Sequence, residues 1–150
     1  MLHRAIRSSF VALFVVLPAA LTAQSGKGAG SPSAAAVGLM NAIADSNLTR
    51  MSELFGNTKG PVAKTRPTGY EKKLVIMQAM LRGVHATARG DVPTKDGVHA
   101  VTTELEHNGC KATISINTVH SSTGWLVHDF DLEQASKINQ PCEHARRPGN

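Results

Sequence analysis

Aromatic residues are scarce: one Trp, one Tyr and four Phe among 150 residues. Phe10 and Phe14 fall in an N-terminal apolar run, which leaves Phe55, Tyr70, Trp125 and Phe130. Four rings are too few for a platform on which successive bases stack, so no nucleic-acid partner is expected. Cysteine is scarcer still, with only Cys110 and Cys142. They form no Cys-x-x-Cys dithiol, and a structural zinc site needs more ligands at closer spacing. The chain has no Gly-rich phosphate loop, no nucleophile elbow and no dense run of metal ligands. Neither a cofactor nor a metal is expected. No apolar run reaches the ~20 residues of a typical spanning helix, so no stable membrane span is expected. The length suits one domain, and no internal repeat is visible.

What the chain does have begins with an export signal. His3, Arg4 and Arg7 precede an unbroken apolar run, Phe10 to Leu17, and small residues follow from Pro18 to Ala23. Residues 1–23 read as a secretory signal peptide cleaved before Gln24, which predicts a secreted or periplasmic protein. Its removal takes away Arg4 and Arg7 and lowers the formal charge from +5 to +3. The sequence pI of about 9.6 therefore owes part of its height to the leader. In an oxidising compartment the two cysteines are expected to pair, Cys110 with Cys142.

Residues 24–33 are Gly/Ser-rich and read as a flexible leader. Ser31-Pro32 is a helix start, and the apolar spacing predicts two short helices, or one kinked helix, across about 33–55. Asn47 sits between them, both in an Asn-Leu-Thr sequon and at a capping position; the cap is the simpler reading. Residues 56–67 form a loop carrying Lys59, Lys64 and Arg66 with no acid nearby. It can hold an anion, but its spacing matches no phosphate motif, and a solvated loop is the simpler account. Thr68 and Glu71 have the capping-box spacing ahead of a helix over about 69–82. The period then changes to two. Strands are predicted at 84–92, 98–107, 110–120 and 125–133, the second and third joined by a tight Asn108-Gly109 turn. Residues 134–150 read as a tail tied by the disulfide. Helices followed by a run of strands predict an α+β domain over 34–133, with the helices across one face of an antiparallel sheet of three to four strands.

The Asn108-Gly109 turn sets a register: His107 opposite Cys110, Leu105 opposite Ala112, Val101 opposite Ile116, His99 opposite Thr118. One face then carries His99, Val101, Leu105, Ile114, Ile116 and His120 and should be buried. The last strand leaves two readings. A simple four-residue loop pairs His120 with Trp125 and turns Trp125, Val127 and Asp129 inward. A bulge reverses the facing, so that Phe130 and His128 point in.

Ala42 to Leu48, Met51 to Phe55 and Gly124 to Phe130 resemble, in turn, the first-helix kink, the second helix and the final strand of the nuclear transport factor 2-like superfamily. The resemblance spans about 34–133. It implies a cone-shaped α+β domain whose curved sheet closes round a pocket. Residues 56–67 are too short and too rich in Gly and Pro for the extra strands that many relatives carry, which implies a shallower pocket. The superfamily holds isomerases, dehydratases, ligand carriers and partner-binding domains, so the resemblance does not choose a function.

The expected site lies between the helices and the sheet face bearing Val101, Ile114 and Ile116. Tyr70, His99, His120 and Trp125 stand at its rim, and Asp129 or His128 deeper. Asp129, His128 and Tyr70 are the acid–base candidates. His99 and His120, as diagonal cross-strand neighbours, are spaced to share a metal with Asp129, although strand-end histidines near solvent need none. The leading expectation is a non-enzymatic exported domain that binds an apolar small molecule or a protein. The alternatives are a pocket isomerase or lyase using a carboxylate or His, and a structural module whose sheet face makes a homodimer.

Overall fold

The computed structural model describes residues 28–142. The signal peptide expected over 1–23, its cleavage point and the last residues of the tail lie outside the described residues. The elements are α1 (Pro32–Ala44), α2 (Leu48–Leu54), β1 (Gly56–Asn57), β2 (Gly60–Pro61), α3 (Val62–Thr65), α4 (Tyr70–Leu81), β3 (His85–Pro93), β4 (Val98–His107), β5 (Cys110–Ser121), β6 (Gly124–Phe130) and α5 (Leu132–Ser136). The fold is α+β. The main sheet is antiparallel in the order β3-β4-β5-β6, and α1 crosses all four of its strands.

Local chemistry explains where the helices begin. The Ser31 hydroxyl accepts the Ala34 N–H at 3.1 Å and Pro32 occupies the first turn, which starts α1. Ser46 takes a positive φ of 58° and breaks the helix. Asn47 Oδ1 then accepts the Arg50 N–H at 2.9 Å and starts α2, so Asn47 is a cap. The capping box at Thr68 does not form. Gly69 is the residue ahead of α4, at φ 80°, which moves Glu71 out of the required third position. The Glu71 carboxylate instead accepts from the Tyr70 hydroxyl at 3.2 Å.

The β4–β5 register follows the Asn108-Gly109 turn as expected, with His107 opposite Cys110, Val101 opposite Ile116 and His99 opposite Thr118. Both turn residues have positive φ, 49° and 78°, the conformation a two-residue hairpin needs. Val101, Thr103, Leu105, Ile114, Ile116 and Thr118 are buried under the helices, and Thr102, Glu106, Lys111, Thr113 and Ser115 are exposed on the outer face.

Each reading of the last strand holds for half of it. His120 pairs with Trp125 and Thr118 with Val127, which turns Trp125 and Val127 inward. The next pairs are Asn117 with Asp129 and Ile116 with Phe130. His128 is thus an extra residue, a bulge that resets the alternation and sends Phe130 to the core. Asp129 goes to the outer face and is exposed. Leu126 faces outward before the bulge and is buried beside its partner Val119.

Three segments read as loop, leader or tail are built into the fold. Gly56–Asn57 and Gly60–Pro61 make a minimal hairpin, followed by one turn of helix. A Cβ at Gly56 would lie 2.8 Å from Pro61 Cα, so only glycine fits that turn. Ala29, inside the expected flexible leader, exchanges both backbone hydrogen bonds with Trp125, each 2.8 Å. Gly124 permits this approach: at φ 119°, a Cβ there would lie 2.8 Å from the Ala29 carbonyl oxygen. The last strand stops at Phe130 because Asp131 caps α5, accepting the Gln134 N–H at 2.8 Å. Ala135 and Ile138 enter the core and Asn139 donates to the Met80 carbonyl, so the start of the tail covers one end of the helix–sheet layer. The Cys110–Cys142 disulfide fastens that cover at a Cα separation of 5.7 Å.

Candidate functional site

The residues expected to line an interior pocket are core. Val101 and Ile116 are fully buried and Ile114 is 3% exposed, packed with Leu39, Met40 and Ile43 of α1 and Met77 of α4. The helices lie directly on this sheet face. The side chains expected at the rim and deeper in one pocket separate into two groups, with Trp125 and His128 three residues apart on β6, about 10 Å along the strand.

The first group stands where the helical layer stops. Trp125 receives His99 and His120 edge to face, at centroid distances of 4.7 and 5.2 Å. Asp91 of β3 accepts from His99 Nδ1 at 3.0 Å and from the Ser33 hydroxyl at 3.3 Å. A carboxylate only accepts, so Nδ1 carries the proton and Nε2 is the acceptor of the neutral ring. Ser33, Asp91, His99, Trp125 and His120 thus join α1 to all four strands of the main sheet. Asp129 is on the opposite face, and among the described residues no three His, Cys, Asp or Glu side chains gather to hold a metal ion.

The second group surrounds an open cleft of about 230 Å³ beside the start of α4. Phe55, Val62, Pro67 and Tyr70 supply its apolar walls, and Asn57, Thr68, Lys73 and His128 its polar edge. Phe55 is placed by its bridge to Val127, which hangs the β1–β2 hairpin on the edge of β6. The β6 bulge releases His128 toward the same hairpin, and its Nδ1 donates to the Gly56 carbonyl at 3.3 Å. Lys73 Nζ sits 4.7 Å from the centre of the Phe55 ring, a cation–π contact. Tyr70 also borders two neighbouring grooves. One, with Leu48, Leu74 and Val75, runs between α2 and α4; the other, with Arg66 and Lys72, follows the loop into α4. Leu48 and Val75 are 40% and 50% exposed, apolar surface that the core does not use.

Charge is arranged differently on the outer sheet face. Glu104 accepts from Arg89 at 2.7 Å and from Lys111 at 3.1 Å. Those hydrogen bonds hold its carboxyl below the ordinary 4.5, and Glu104 raises the Lys111 ammonium above 10.5. Lys111 is exposed and Glu104 half-buried, on the face away from the helices.

Tyr70 and His128 were legible as site candidates, but Phe55, Val62, Pro67 and Lys73 were not. A further sequence signal was the cationic loop with Lys59, Lys64 and Arg66, of which Arg66 borders the adjoining groove. Asp91 was missed because the weak strand that carries it gave no register. No protein-family model, no curated protein and no solved structure matches this chain.

Proposed function

We propose that this chain is an exported, non-enzymatic binding domain that docks a protein partner through the face centred on Tyr70. One observation carries the reading. The interior is filled by Val101, Leu105, Ile114 and Ile116, while spare apolar surface collects round Tyr70 in three adjoining open clefts. Small-molecule sites usually enclose about 300–1,000 Å³ and bury most of the ligand. The cleft of about 230 Å³ and its neighbours of about 370 and 360 Å³ are open and would leave much of a small ligand in solvent, so they better suit one anchoring side chain of an extended chain. The export signal in residues 1–23 and the disulfide support action outside the cytosol. Membership of the nuclear transport factor 2-like superfamily belongs to the same proposal, supported by the helices laid across a bulged antiparallel sheet.

Peptides selected for binding to the mature chain, residues 24–150, test this reading. Tyr70→Ala and Val75→Ser should each weaken the selected peptides about tenfold while lowering the melting temperature by no more than about 5 °C. Peptides indifferent to both substitutions would overturn it. The acid–base alternative has its best footing in the Asp91–His99 pair, which holds one imidazole in a fixed tautomer. Turnover of ketone or enol substrates that collapses by about 10²-fold or more in His99→Gln would favour an enzyme over a binding domain.

A further inference from the structure

We infer that the Tyr70 cleft takes an acidic segment of its partner, with one aromatic or aliphatic side chain seated against Phe55 and Tyr70 and carboxylates on either side. This deepens the partner-binding reading and rests on it. From Lys59 to Lys73 the chain carries five cations, Lys59, Lys64, Arg66, Lys72 and Lys73, and one acid, Glu71. All five cations are exposed, and among the described residues none forms an ion pair. The single acid, Glu71, accepts from Tyr70 and borders both neighbouring grooves, outnumbered by Arg66 and Lys72 in one of them. Lys73 lines the cleft itself, while Arg66 and Lys72 line the groove that continues from it. Among the described residues, no acidic side chain lines the 230 Å³ cleft. Apolar walls bordered by unpaired cations complement an apolar anchor flanked by anions. Such charge matching chooses the partner and speeds encounter more than it adds affinity. The Lys73–Phe55 contact holds one cation at the mouth, where its stem covers apolar surface and its ammonium remains available.

The probe is a capped peptide of alternating Glu and Leu with one central Phe, and its control replaces every Glu by Gln. Isotope-labelled mature protein is titrated with each. The acidic peptide should shift the backbone amides of Phe55, Tyr70 and Lys73 and bind about tenfold or more tighter than the control. That advantage should shrink several-fold when salt rises from about 50 to about 500 mM. Lys73→Glu should abolish most of it, and Lys72→Glu should reduce it; both positions are exposed, so the fold should survive. Equal binding of the two peptides at those amides would overturn the acidic preference and leave the partner-binding reading standing. If the acidic peptide fails to shift them while selected peptides still depend on Tyr70, the acidic inference alone falls. If the selected peptides are also indifferent to Tyr70, both fall. Lys73-dependent binding to anionic lipid vesicles without peptide binding would likewise overturn it.

Discussion

The space between helices and sheet and the face around Tyr70 use the same kinds of residue to opposite ends. In the first, Leu39, Met40 and Ile43 of α1 meet Val101, Ile114 and Ile116 of the sheet, and nothing is left over. In the second, α2, α4 and the β1–β2 hairpin converge without closing, and Tyr70 borders three clefts. Chain length explains part of the difference. The segment between α2 and α4 makes only a two-residue-per-strand hairpin and one helical turn, too little to cap the junction. A surface left open by a short connection, bordered by apolar walls and unpaired cations, remains available to another molecule. A filled interior does not.

Removing volume from each region should have very different effects. Ile116→Ala should destabilise the domain by about 2–5 kcal/mol, because it opens a cavity under rigid neighbours. Tyr70→Ala should cost about 1 kcal/mol or less, since its half-buried ring already faces solvent. Urea unfolding of both variants decides. Comparable losses would make the Tyr70 face part of the core and remove its claim to be a docking surface.

The next test concerns what holds the interior shut. Replacing Cys110 and Cys142 together with Ser should cost about 3–4 kcal/mol, by releasing the 32-residue loop in the unfolded chain. Hydrogen exchange should rise first in α5 and in the end of α4 beneath it, whereas the amides of Phe55 and Tyr70 should not change. Faster exchange around Tyr70 would show that the cleft depends on the covered end. A smaller effect of the same kind is expected from Asp131→Ala. It removes the cap on α5 and should lower stability by about 1 kcal/mol, read from the urea midpoint.

The legible parts of the fold were those governed by local chemistry. Asn108-Gly109 set the β4–β5 register, and Ser31, Pro32 and Asn47 set the helix starts. The Cys110–Cys142 pairing followed from there being two cysteines in a chain expected to be exported. Less could be read where tertiary contact decides. The β6 bulge exists because Val127 and Phe130, three residues apart, both reach the core, a spacing that strict alternation forbids. Ala29 pairs with β6 because Gly124 leaves room, not because its own surroundings favour a strand. The start of α5 did carry a readable signal, Asp131 with Gln134 three residues on, but the apolar alternation running into it masked the cap. The candidate site divided in the same way. Tyr70 was visible as a lone aromatic at a helix start. Its partners Phe55, Val62 and Lys73 come from separate elements that only the folded chain brings together.

The smallest expected effect belongs to the outer sheet face, where charges are matched at home instead of left for a partner. Arg89 and Lys111 hold the Glu104 carboxyl below 4.5, so the folded form keeps it ionised where the unfolded chain would protonate it. The stabilisation is present above the unfolded value and fades as pH falls through the lower folded value. Lys111 has the opposite sign. Its ammonium is raised above 10.5, so its contribution is complete below that pH and is lost as pH rises through the folded value. Lys111 is exposed and Glu104 remains open to solvent screening on the outer face, so the changes should be slight and smaller still in high salt. The measurement is the difference in urea midpoint between the natural chain and Glu104→Gln. It should stay constant from about pH 6 to 9 and narrow below about pH 4. A difference that persists undiminished in acid would mean that Glu104 acts through packing and not through charge. The contrast with the unpaired cations round Tyr70 would then lose its electrostatic basis.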